Sequence, residues 1–213
     1  MPRGSGAAAT LDHIGVFIVG GVYSNNPRTS EFLAAGTMQW QEGPALPVGM
    51  SYPCAVEITR TSFLVIHGTD IREFDAATAA PTCSEGWREA GRWPALKTSR
   101  TYQPGCAKIG QKVIIAGGYN NGRTHSSTEV LDLVNRRITS GGEMATPRSR
   151  FHIATIVEGG EEKLFGLGGD DGSNLLNSVE EWVEESSTWK AADNLVEIRN
   201  SFAIVAAPRH LVC

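Results

Sequence analysis

Along the chain, apolar runs of about four to six residues alternate with clusters of glycine, proline, serine and asparagine. Three of the runs end in paired glycine: VFIVGG at 16–21, VIIAGG at 113–118 and LFGLGG at 164–169. A fourth, FLVIHG at 63–68, has His67 where the first glycine would stand. The runs are rich in Val, Ile, Phe and Trp and are bounded by turn residues, which predicts strands. No stretch of eleven or more residues keeps a helical period, so the pattern predicts an all-β fold.

The pattern repeats. The second glycines fall at 21, 68, 118 and 169, intervals of 47, 50 and 51, and a period near ~50 predicts a propeller or another repeat array. Each glycine run is followed by a strand that carries one glutamate, Glu31, Glu73, Glu129 or Glu180, at one structural position. Nine residues after three of these comes a large apolar residue, Trp40, Ile138 or Trp189; in the second unit Trp87 follows after fourteen, which reads as a longer hairpin loop at 78–83. A small-apolar segment precedes the glycine run in three units (51–56, 104–109, 151–156), and a last copy lies at 201–206. Each unit therefore reads as four short strands. A sheet so small cannot bury both faces alone, so neighbouring units must cover one another.

The unit from Gly168 to Trp189, with its paired glycine, Asp-Gly, Leu-Asn-Ser-Val-Glu, aromatic and later Trp, closely resembles the kelch repeat. The resemblance covers roughly residues 14–206. The chain departs from the pattern in three places: a single glycine at Gly68, Ile138 for Trp, and Trp182-Val-Glu for Tyr-Asp-Pro. The resemblance implies a β-propeller of about four blades of four antiparallel strands over 14–207. The blades fall near 14–46, 51–94, 100–144 and 148–192, with a closing strand at 199–206 that completes the first blade. Residues 1–13 are then a disordered tail. A ring left open would expose edge strands and favour self-association. In this frame Gly20, Gly21, Gly68, Gly117, Gly118, Gly168 and Gly169 are turn positions. The four glutamates take backbone or arginine hydrogen bonds, since an unpaired buried charge is costly. Trp40, Trp87 and Trp189 fill space between sheets.

Charge narrows the partners. The formal net charge is −4, with both signs interspersed, so neither nucleic acid nor an anionic membrane is an expected partner. No apolar run reaches the ~18 residues of a membrane span, and no signal-peptide pattern opens the sequence. Cys54, Cys83, Cys106 and Cys213 have gaps of 29, 23 and 107. These fit neither a zinc pattern nor a dense disulfide framework, and reduced thiols in a cytoplasmic protein are the expectation. The five histidines show no paired spacing, and no metal or other cofactor is expected.

The glycine cluster at 166–172 has Asp171 where a dinucleotide loop needs its third glycine, and no helix follows, so it reads as a turn. A better candidate site is a series of arginines. Arg100, Arg148 and Arg199 stand six residues before Cys106, Ala154 and Val205, with Val48 at that place in the second unit. The resemblance implies that arginines here line a loop face and grip acidic peptides. Guanidinium forks suit carboxylates, and Ser99, Ser149, Arg150, Asn200 and Ser201 would join the rim. The other reading is that these arginines pair with the repeated glutamates inside the blades. The polar loops at 22–28, 119–125 (with Asn120 and Asn121) and 170–174 (with Asp170 and Asp171) form the contact surface. The expected function is a non-enzymatic scaffold for a protein or peptide. The alternative is an enzyme acting on an acidic sugar, mutarotase- or epimerase-like, using Arg148, Arg199 and His152.

Overall fold

The computed structural model describes residues 4–22, 27–37, 39–78 and 86–204, and among these there is no helix. The first sheet has the order β1 (Ala7–Leu11), β2 (Gly15–Val19), β3 (Ser30–Ala34) and β4 (Trp40–Glu42), all antiparallel. This corrects two expectations. Residues 7–11 are not tail but the innermost strand of the first sheet, in the place assigned to the C-terminal strand. Ala7, Ala9 and Leu11 are buried while Ala8 and Thr10 face outward, and the register runs from Ala7↔Val19 to Leu11↔Gly15. Alanine is a weak strand former, so only the alternation of burial reveals this strand. At the other end, residues 199–204 form no strand, and 205–206 of the expected closing strand lie outside the described residues.

The second sheet has three strands, β5 (Cys54–Glu57), β6 (Ser62–His67) and β7 (Asp70–Asp75). Its outer strand is reduced to one bridge, Phe74↔Trp87. The lone Gly68 has a reason: His67 pairs with Asp70 across a two-residue turn, and Gly68 alone takes the positive φ, +61°. Most of the expected long loop at 78–83 lies outside the described residues.

The third sheet comprises β8 (Gly105–Ile109), β9 (Lys112–Ala116), β12 (Thr128–Asp132) and β13 (Arg137–Ser140); a small ribbon, β10 (Tyr119–Asn120) with β11 (Arg123–Thr124), rises between β9 and β12 in the chain. The fourth has β14 (His152–Glu158), β15 (Glu161–Leu167), β16 (Val179–Val183) and β17 (Thr188–Ala192) in chain order.

Two compact units result, Met1–Gln103 with Arg136–Ile138, and Pro104–Asn135 with Thr139–Cys213. In the first, Phe17 lies between Phe32, Phe63 and Phe74 with ring centroids 4.5–5.3 Å apart. Trp87 meets Phe63 and Phe74 edge-on and donates its indole N–H to Pro44 O at 3.2 Å. In the second, Ile114, Ala116, Val130 and Met144 of the third sheet pack on Phe151, Ile153, Leu164 and Trp182 of the fourth. Trp189 joins them, giving its indole N–H to Thr128 Oγ1 at 2.9 Å. Trp87 and Trp189 thus pack between sheets. Trp40 does not: its side chain is 46% exposed.

Candidate functional site

Each glycine pair exists to admit the next unit's chain. Gly117 and Gly118 have φ of +62° and +86°, and a Cβ on Gly117 would come within 2.3 Å of Arg148 O. Gly118 N–H donates to that carbonyl at 2.8 Å. The contact recurs as Gly21 N–H to Met50 O (3.0 Å), Gly68 N–H to Arg100 O (2.9 Å) and Gly169 N–H to Arg199 O (2.7 Å). This register fixes the arginine series: its member in the second repeat is Met50, not Val48. Two residues beyond the carbonyl, Tyr52, Arg150 and Ser201 all have positive φ, +54°, +52° and +49°. Gln103, after one extra residue, repeats the feature at +41°. Residues other than glycine seldom adopt this conformation, and no composition signal in the sequence announced it.

Two members of the arginine series leave the candidate surface. Arg148 is fully buried. Its guanidinium donates to Glu180 Oε1 at 2.6 Å, Gly168 O at 2.9 Å, Ser178 O at 3.0 Å and Ser178 Oγ at 3.2 Å. Burial pulls its pKa down while the bond to Glu180 pushes it back. Glu180 also accepts from the backbone N–H of Ala145 (2.7 Å) and Thr146 (3.3 Å). Arg100 is equally buried, as is Glu129. A side chain with no exposed surface cannot reach a partner protein, and Arg148 pairs with Glu180 inside the blade.

Met50 offers Glu73 no charge, and Pro47, in the place of Ala145, has no N–H. Glu73 turns instead to Trp93 Nε1 at 2.9 Å and to Arg92. Glu31 is half-buried. Arg199 is exposed and lies 3.6 Å from Glu197.

What remains is gathered in the second unit. Arg150 keeps 41% of its side chain exposed and approaches Asp170 at 3.5 Å. Asp170 bridges Ser149 through the backbone in both directions at 2.9 Å, and its Oδ1 receives Gly172 N–H at 3.2 Å. Asp171 closes the 170–174 loop by accepting from Asn174 N (2.7 Å) and Ser173 N (2.8 Å). Those N–H groups, Asn174 first, hold its carboxyl below the usual aspartate range. Gly172 sits against Thr124, which a Cβ there would meet at 3.0 Å, so this loop lies on the β10–β11 ribbon. The ribbon turns through Asn121 (φ +50°) and Gly122 (φ +81°), an Asn-Gly hairpin turn, with Asn120 paired to Arg123. Ser201 N–H reaches Arg150 O at 2.9 Å, bringing the exposed Ser201 and half-buried Asn200 to the same place. Arg150, Asp170, Asn200 and Ser201 therefore come together, with Asn120, Asn121 and Asp171 on the adjoining loops. Part of the 22–28 loop lies outside the described residues.

His152 is exposed, edge-on to Phe202 with centroids 5.3 Å apart. Among the described residues no group of three His, Cys, Asp or Glu is placed to hold a metal ion, and no helix is long and apolar enough to cross a membrane. The cysteine expectation is corrected: Cys54 and Cys106 are both disulfide-bonded. They stand on the corresponding strands β5 and β8, about one period apart, a relation that gaps between successive cysteines do not reveal.

The kelch motif family matches residues 100–143, which span the whole third sheet from its arginine to its outer strand. Over 132 residues, 62% of this chain, the sequence is 24% identical to the kelch repeat-containing protein kel-10 of Caenorhabditis elegans. The matched region makes up 23% of that relative's length. With four glycine-turn registers and an all-β architecture already in place, these matches support a likeness of the chain to the kelch-repeat family.

Proposed function

We propose that the protein is a non-enzymatic interaction module that binds an acidic segment of a partner protein across the loops of its second unit. Kelch repeats are commonly protein-interaction scaffolds. The observation that carries the reading is Arg150. Its backbone is held at positive φ, its guanidinium is partly exposed, and two polar loops packed on one another flank it. Unusual backbone geometry held in place by its surroundings is a mark of functional positions. An arginine whose acidic neighbour is 3.5 Å away can exchange that contact for a bidentate one with a ligand carboxylate. Asn120, Asn121, Asn200 and Ser201 supply neutral donors around it.

The test is an array of extended peptides, each with two or three Glu or Asp residues, followed by fluorescence anisotropy on those retained. Arg150→Ala should weaken binding about tenfold, in keeping with the 1.5–3 kcal/mol of a charge-assisted hydrogen bond, and Asp170→Asn should leave it equal or stronger. If acidic peptides bind no better than their Asn/Gln counterparts, or Arg150→Ala changes nothing, the reading is wrong.

A further inference from the structure

Two tyrosines of the first unit stand face to face, and the site around Arg150 makes no use of them. The ring centroids of Tyr52 and Tyr102 are 3.8 Å apart and their planes are inclined by 30°, well inside the about 4.5–7 Å at which aromatic pairs usually sit. The backbone holds them there. Gln103 N–H donates to Tyr52 O at 3.1 Å, and Arg100 exchanges both backbone hydrogen bonds with Gly68, at 2.9 and 3.0 Å. The chain is therefore tied down on either side of Tyr102. Tyr52 is one of the positive-φ residues, at +54°, a conformation that persists only where the surroundings impose it.

Both rings are half-buried and lie outside the two apolar cores, so solvent and small oxidants reach them. Their hydroxyls give the stack a chemistry that phenylalanine rings would lack. A phenol that loses one electron and one proton becomes a phenoxyl radical, with its unpaired spin on oxygen and on the ortho and para ring carbons. The para carbon carries Cβ, so two such radicals join through ortho carbons, the Cε atoms. Rings already in contact need no diffusive encounter to do so. The nearest cysteines do not oppose it. Cys54 and Cys106 follow Tyr52 and Tyr102 by two and four residues, and both are disulfide-bonded. A free thiol there would give its hydrogen to the radical and quench it; a disulfide has none to give.

We propose that Tyr52 and Tyr102 form an oxidative cross-linking site, joined by a Cε–Cε bond when a one-electron oxidant of the haem peroxidase class, fed by hydrogen peroxide, acts on them. Each phenol gives up its O–H hydrogen as an electron and a proton, and the two ring carbons bond. The hydrogen on each coupled carbon then moves to that ring's oxygen, which restores both phenols. Hydrogen peroxide takes up the two electrons and two protons and leaves as two water molecules, so the chain loses two hydrogen atoms. The new bond staples the entry to β5 to the segment that Gly68 holds, and a cross-link closing so long a loop restricts the unfolded chain.

The test treats the full 213-residue chain, at low micromolar concentration, with a haem peroxidase and equimolar hydrogen peroxide under conditions that couple free tyrosine. Dityrosine fluorescence should appear, and the intact chain should weigh two hydrogen atoms less. After reduction and alkylation, so that no disulfide can join them, the digest should contain the Tyr52 and Tyr102 peptides as one species. Its yield should not change on dilution, because the partners belong to one chain. Tyr52→Phe and Tyr102→Phe should each abolish the fluorescence and the joined species, whereas Tyr119→Phe, on the 38% exposed ribbon tyrosine, should keep both. The digest of the wild-type chain decides the matter even if a variant fails to fold. Recovery of the Tyr52 and Tyr102 peptides unjoined overturns the proposal, as does a joined species whose yield falls on dilution.

Discussion

Arg148 and Arg150 stand two residues apart and have opposite fates because of the backbone between and around them. In an extended strand, residues i and i+2 share a face. Here the chain breaks into positive φ at Arg150, so the second arginine leaves the face on which the first is buried. Arg148 and Glu180 form a buried pair, their side chains 0% and 4% exposed. Removing one partner of such a pair strands the other, which costs about 3–5 kcal/mol. Arg148→Met is therefore expected to lower the unfolding free energy in urea by that amount. Arg148→Met with Glu180→Leu should recover a large part of it, because apolar replacement of a whole buried pair is often neutral. Arg150→Ala, at a partly exposed position, should stay within about 0.5 kcal/mol of wild type. Three of the repeated glutamates, Glu73, Glu129 and Glu180, are buried while Glu31 is half-buried, a difference that their common spacing does not reveal. Which arginines they take was not legible. Spacing from the following strand aligned Val48 with the series, and only the carbonyl contacts of the glycine pairs identify Met50.

At the scale of the element, strands with branched and aromatic side chains could be read directly, and β2, β6, β9 and β15 lie where the apolar runs predict. β1 could not, because Ala7–Leu11 has the alternation of a strand without the residues that favour one. That omission also misplaced the closing of the first sheet. The 170–174 loop was legible as a turn rather than a phosphate cradle, but its internal bracing was not, since Asx-type bonds depend on where Ser173 and Asn174 direct their N–H groups. Asp171 supplies a test. Its carboxyl is held below the ordinary aspartate value by those N–H groups, so the ionised form is the one the loop prefers. The bracing is then complete above the unfolded-chain value of about 3.9 and is lost as pH falls through the lower folded value. A carbon-detected NMR titration should place the Asp171 midpoint below that of an unstructured aspartate, and the Ser173 and Asn174 amide shifts should move with it. Asp171→Ala should abolish both movements while leaving the β15 and β16 amides in place. A midpoint at the ordinary value would show that the loop does not depend on the carboxylate.

For the whole molecule, composition set the class and misled on chemistry in one respect. Few cysteines at wide gaps suggested reduced thiols, yet Cys54 and Cys106 are disulfide-bonded. Disulfides persist in oxidising compartments and are rare where glutathione keeps thiols reduced, so the cysteines no longer support the cytoplasmic expectation. The state of these thiols can be read directly. Alkylation of the denatured protein without reductant, followed by peptide mass spectrometry, should leave Cys54 and Cys106 unmodified, and both should react once a reductant is added. Removing a native disulfide typically costs 2–5 kcal/mol in a small secreted domain. Reduction should therefore lower the urea midpoint, and Cys54→Ala should lower it as well. If both cysteines alkylate without reductant and the midpoint ignores it, the thiols are reduced in the native protein and a reducing compartment is again the natural one. A partner search would then belong among cytoplasmic proteins; bonded cysteines direct it to secreted or luminal ones.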